Sequence, residues 1–205
     1  MNCFTKQMFS RLICLCILLC TIYAGSRAQN FDIDWLRKIN PQYPNSQVWK
    51  TVSSTAEPLA ISIPIGMAAV SLLTENKKLE YNAYETGASV LIAIAATGGL
   101  KYIINRPRPY ETYPNDIHPD TYDYGHSFPS AHVSMVFSSA TSVFLNYPKW
   151  YIGVPLGVWG ISVAYSRMYL GQHYPSDVFA GAAVGAGSAV LSHWLNKKFF
   201  LKKKK

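Results

Sequence analysis

Cysteine is nearly missing from this sequence: Cys3, Cys14, Cys16 and Cys20 all fall within the first twenty residues, and no thiol follows them. A disulfide framework or a thiolate-ligated metal is therefore excluded for the body of the chain. Acidic residues are also scarce, 11 against 19 Lys and Arg, and charged residues make up 15% of the chain against 49% hydrophobic. No segment recurs, which excludes a repeat array. At 205 residues the chain is long enough for one domain or one compact membrane bundle.

The surplus of positive charge, +8 overall, is unevenly spread, with Lys197, Lys198 and the four lysines at 202–205 crowded at one end. A nucleic-acid partner calls for a basic face with groove-reading or aromatic elements, and a bare charge run is not one. A solvated tail, or one facing lipid headgroups, fits better. At the other end, the apolar run 12–22 follows Lys6 and Arg11 and precedes Ala24-Gly-Ser-Arg-Ala-Gln29. Residues 1–28 thus read either as a signal peptide cleaved after Ala28 or as a first transmembrane helix, leaving 29–205 as the main domain.

Five apolar segments occupy 59–73, 87–104, 131–147, 151–165 and 178–195. Most are shorter than the roughly 20 residues that span a bilayer, and they are rich in Gly, Ala and Ser, which permit close helix packing. The expectation is an all-α helical bundle, transmembrane, with five or six short spans. A soluble bundle is the alternative. Threaded as six spans, the chain puts Lys6, Arg11, Lys77, Lys78, Lys149 and the C-terminal lysines on one side, as expected of a cytoplasmic face.

Three polar clusters then fall together on the opposite side: KYIINRPRP at 101–109, FPSAH at 128–132 and SRMYLGQHYPSD at 166–177. Pro129 suits the first position of a helix, which would put Ser130, Ala131 and His132 in a first turn whose free N–H groups favour an anion. Pro175 likewise starts a helix just after His173, and Asp177, near the third position, can reach back to orient that imidazole. With Lys101, Arg108 and Arg167 nearby, the set supplies what phosphoryl transfer asks for: positive charge on the equatorial oxygens, a nucleophile and an acid.

The clusters resemble the signature of the type 2 phosphatidic acid phosphatase superfamily, which also holds bacterial acid phosphatases and vanadium haloperoxidases. The family pattern is Lys, six residues, Arg-Pro; Pro-Ser-Gly-His; and Ser-Arg, five residues, His, three residues, Asp. Here it reads Lys101 to Arg108-Pro109; Pro129-Ser130-Ala131-His132; and Ser166-Arg167, His173, Asp177, with Ala131 in place of Gly. The resemblance implies a metal-independent phosphatase without cofactor. His173 is its nucleophile, Asp177 the partner of His173, and His132 the acid for the leaving group. Lys101, Arg108, Arg167, Ser130 and the N–H of Ala131 hold the phosphate. It implies a lipid-linked monoester or diphosphate substrate, and the one-sided lysines of the threaded chain put the site on the extracytoplasmic side of a membrane; a secreted or periplasmic soluble acid phosphatase is the alternative.

Arg106 reads either as an auxiliary contact or as a loop charge. His118, His126 and His193 read as solvent or packing residues, and Asp116, His118 and Asp120 as a polar loop rather than a metal site. Tyr110, Tyr113, Tyr122 and Tyr124 read as an interfacial belt, a substrate rim or plain loop.

Overall fold

The computed structural model describes residues 31–198. The N-terminal apolar run, read as a signal peptide or first transmembrane helix, lies outside the described residues, as do the lysines at 202–205. Helix α1 covers 31–39, and seven more follow: α2 (Gln47–Ser54), α3 (Ala56–Leu73), α4 (Lys77–Ile104), α5 (Pro109–Thr112), α6 (Ala131–Asn146), α7 (Trp150–Tyr169) and α8 (Pro175–Asn196). No strand occurs among the described residues. The five apolar segments correspond to α3, α4, α6, α7 and α8.

Local chemistry sets the helix ends that matter. The Asn76 side chain accepts the Leu79 N–H at 3.1 Å and caps α4. That helix stops at Asn105, which takes the left-handed conformation (φ 51°, ψ 40°) that Asn tolerates better than most residues. Residues 105–108 therefore leave α4 as irregular chain, and Pro109, the last residue of the RPRP run, opens α5. Pro175 opens α8 in the same way, with Asp177 at the third position accepting the Tyr174 N–H at 2.9 Å.

Helix α6 forms the middle of the bundle. It packs most extensively on α8 and also on α4, α3 and α7. Ser134, Ser138, Ser139 and Ser142 are fully buried on it beside Val133 and Val136. The approach to α8 is close because Gly181 and Gly185 face it: a β-carbon at Gly185 would lie 2.3 Å from the Ser134 carbonyl oxygen, and one at Gly181 would lie 2.6 Å from that of Ser130. Only glycine allows backbones so near each other.

Three helical stretches are long and apolar enough to cross a membrane: Gln47–Leu73, which runs through α2 and α3, Lys77–Thr112 and Pro175–Asn196. Helix α6, at 16 residues and lined with buried serines, is not one of them. Its surroundings are other helices, so its sequence need not match lipid. Large apolar side chains point outward elsewhere, among them Leu73, Leu91, Ile65 and Ile161, each more than 60% exposed.

Candidate active site

The three clusters meet at one end of the bundle, around the start of α8. The Ser130 N–H donates to the Asp177 carbonyl oxygen at 3.0 Å, joining the first turns of α6 and α8. Ser127 donates its N–H to the Arg106 carbonyl at 2.8 Å and its hydroxyl to Asp177 Oδ2. Through these bonds 106, 127, 130 and 177 form one backbone junction. Pro129, expected at the first helical position, lies outside the helix: Ser130 is the cap and Ala131 the first residue of α6. The bond from the Ser130 N–H to Asp177 holds Ser130 extended (φ −70°, ψ 116°) and delays the helix by that much.

His173 is 2% exposed on its side chain, with Nδ1 3.5 Å from Asp177 Oδ2. That is near enough for the carboxylate charge to act and too long for a well-formed hydrogen bond. Asp177 is instead gripped by other donors: the Tyr174 N–H and Ser127 hydroxyl on Oδ2, and Arg106 Nη1 on Oδ1 at 2.7 Å. Burial pushes the His173 imidazole down to about 4, against the opposing pull of Asp177. At neutral pH it is an uncharged imidazole.

The cations are arranged around it. Arg108 is buried, with Nε on the Gly125 carbonyl at 3.1 Å and Nη1 on the Gln172 backbone and side-chain oxygens, both at 3.1 Å. Arg167 is buried, with Nη1 on Ser53 Oγ at 2.9 Å and Nη2 on Asp123 Oδ2 at 3.2 Å. Lys101, half-buried, donates to the His126 and Ser127 carbonyls. His132, at the second position of α6, lies in electrostatic reach of Arg167, His173 and Arg108, and its Nε2 is 3.6 Å from Glu57 Oε1. Three buried polar atoms here, Ser130 Oγ, Arg167 Nε and His173 Nδ1, make no hydrogen bond. Buried groups seldom go without a partner unless a ligand or water supplies one.

Arg106 is neither solvated nor turned to the other cations. Besides Asp177 it binds Ser176 Oγ at 2.6 Å and Asp32 Oδ2 at 2.9 Å, and it stacks on the Tyr174 ring at 3.8 Å. Asp32 in turn accepts the Ser176 N–H at 2.9 Å and the Ser176 hydroxyl. Ser53, Glu57 and Asp32, all contributed by α1–α3, carry no motif; only their distant partners mark them.

Tyr110 is buried and donates its hydroxyl to the Asp123 carbonyl at 2.8 Å, while Tyr122 and Tyr124 are exposed. His193 packs at the far end of the bundle, Nδ1 2.8 Å from buried Glu85. The described residues hold no group of three or more His, Cys, Asp or Glu placed to bind a metal.

A helical bundle of this arrangement recurs in two solved structures. Aquifex aeolicus LpxE superposes with a TM-score of 0.64 at 22% identity, covering 80% of this chain and 95% of that one. A transmembrane PAP2-type phosphatidylglycerolphosphate phosphatase from Bacillus subtilis does so with a TM-score of 0.61 at 23% identity, covering 93% and 96%. The family model of the PAP2 superfamily matches residues 83–201, and the chain belongs to that superfamily. Among curated relatives, an undecaprenyl-diphosphatase of Sulfolobus acidocaldarius is 34% identical over 51% of this chain and 50% of its own length. A lipid A 4'-phosphatase of Bacteroides thetaiotaomicron is 32% identical over 36% and 33%. The chain thus spans half or less of the length of these relatives.

Proposed function

We propose that the protein is a membrane-embedded phosphatase that hydrolyses a lipid-linked phosphate monoester or diphosphate through a phosphohistidine on His173. The observation that carries this reading is the meeting of two histidines, two buried guanidiniums and an unpartnered buried hydroxyl at the paired N-termini of α6 and α8. Helix N-termini and fixed cations favour a phosphate dianion, and they stabilise the charge of an in-line transition state without reorganising.

In this reading His173, with Nδ1 turned to Asp177, attacks phosphorus through Nε2. The P–O bond to the lipid breaks, and His132 gives the leaving oxygen its proton. Water then attacks the phosphohistidine, activated by the same His132, and releases inorganic phosphate. Lys101, Arg108, Arg167, Ser130 and the N–H of Ala131 hold the three equatorial oxygens. Charge stabilisation comes from these side chains and dipoles, so the reaction calls for no metal.

The outward-facing Leu73, Leu91, Ile65 and Ile161 favour a membrane setting over the soluble acid phosphatase alternative. Lys77, Lys78, Lys149 and Lys197 stand at the helix ends opposite the site, which supports a cytoplasmic location for them and an extracytoplasmic one for the site. Phosphate release by the purified protein should be measured on polyprenyl diphosphate, phosphatidic acid, phosphatidylglycerol phosphate, a lipid A phosphate and a short soluble monoester. Burying each acyl methylene is worth about 0.8 kcal/mol, so catalytic efficiency should rise with tail length. Equal efficiency on the soluble ester and every lipid would contradict the lipid reading.

A further inference from the structure

One loop, residues 120–127, contacts all three cations assigned to the phosphate. Lys101 bonds to the His126 and Ser127 carbonyls, and Arg108 to that of Gly125. Asp123 sets its carboxylate between the two guanidiniums, 3.2 Å from Arg167 Nη2 and 3.8 Å from Arg108 Nη1. Among the described residues it is the only carboxylate in ion-pair range of either arginine. Its charge sits where a phosphate held by that pair would put its own.

The loop does not depend on that carboxylate for its anchorage. The Asp123 carbonyl holds the Tyr110 hydroxyl at 2.8 Å, and the Thr121 carbonyl accepts from Gln172 Nε2 at 2.7 Å. The Asp123 side chain is 40% exposed, and its other oxygen already meets the Thr121 hydroxyl at 3.5 Å. Its carboxylate can therefore rotate away from the arginines while the backbone stays in place.

We propose that Asp123 is an internal anion that any ligand must displace from Arg108 and Arg167, and that this sets an affinity threshold which weakly held phosphodiesters do not clear and terminal phosphates do. The proposal rests on the reading of this site as a phosphatase. A site at helix ends in a bilayer lies among phospholipid headgroups, whose phosphodiesters carry one negative charge on two free oxygens. Exchanging the Asp123 carboxylate for such a monoanion returns little net attraction. A terminal phosphate brings up to two charges and three oxygens, so the same exchange is favourable. Without Asp123 the arginines would accept either.

The test compares binding with turnover in the purified full chain in neutral detergent. Dissociation constants are measured at pH 8 for inorganic phosphate and for dihexanoyl phosphatidylglycerol, a diester, with wild type, Asp123→Asn, Asp123→Ser and Asp123→Glu. The Asn and Ser variants should bind both anions about tenfold more tightly, which brings the diester into measurable range, and the Glu variant should stay near wild type. Diester affinity that is unchanged or weakened in folded Asn and Ser variants would overturn the proposal, because a residue that merely positions the arginines weakens anion binding when lost. Failure of both variants to fold would overturn it too, by making Asp123 a structural residue. Turnover on the monoester panel separates the two readings. No turnover by wild type removes the phosphatase, whereas unchanged diester affinity in active variants removes only the role of Asp123.

Discussion

The two arginines of the RPRP run stand two residues apart and do different things. Spacing from Lys101 is enough to single out Arg108, which lies buried with Arg167. The same spacing says nothing of Arg106, because its partners Asp32 and Asp177 stand 74 and 71 residues away. The result is a line of alternating charge, Asp32, Arg106 and Asp177, that ends on the imidazole of His173, with Arg106 taking up part of the Asp177 carboxylate. Burial already holds His173 down to about 4, and Asp177 works against it. A lowered histidine is lost as a nucleophile only when pH falls through its folded value, so the acid limb of kcat/KM should lie well below neutrality. Arg106→Gln frees Asp177 to stabilise the imidazolium, so that limb should move to higher pH with KM little changed. Arg108→Gln should raise KM for every substrate and, because the Arg108 charge also helps hold the imidazole down, move the limb upward as well. Identical pH profiles and KM values in the two variants would contradict this division of labour.

The helix starts show what was legible in the sequence at the next scale. Pro175 and Asp177 announced the start of α8 because both its signals are local: a fixed φ and a carboxylate returning to the Tyr174 N–H. The start of α6 was misplaced by Pro129 because Ser130 bonds to a carbonyl from α8, which no local pattern reveals. Helix α1 and the Ser53 and Glu57 contacts were not legible for a related reason: mixed polar segments take their roles from partners far along the chain. The small residues of α8 were readable as packing, and the glycine contacts give that packing a testable form. Gly185→Ala puts a methyl group against the backbone of α6, and should lower stability by roughly 1–3 kcal/mol and reduce activity, since α6 carries His132. Gly187→Ala, where a β-carbon meets nothing within 4 Å, is the control and should unfold like wild type. Equal melting temperatures for the two would count against α6–α8 contact as the frame of the site.

For the whole molecule, the apolar segments made the bundle legible but not its number of spans, since a helix such as α6, surrounded by protein, need not look like lipid-facing sequence. Sidedness is open to direct labelling. In a chain whose native cysteines are replaced, single cysteines at exposed Asn115, near the site, and at exposed Lys78, at the far end of α4, should react from opposite sides of sealed vesicles. Labelling of both from the same side would contradict the proposed threading. A phosphatase that works through a histidine can be caught with the phosphoryl group on that side chain. Wild type and His173→Ala would be mixed with a substrate labelled in its terminal phosphate, in the presence of EDTA, quenched in alkali, and the protein digested and read by mass spectrometry. Label is expected on His173 of the wild type and on no residue of the variant, with phosphate release by the wild type that survives the chelator. Label on another residue, or full phosphate release by the variant, would contradict the histidine mechanism.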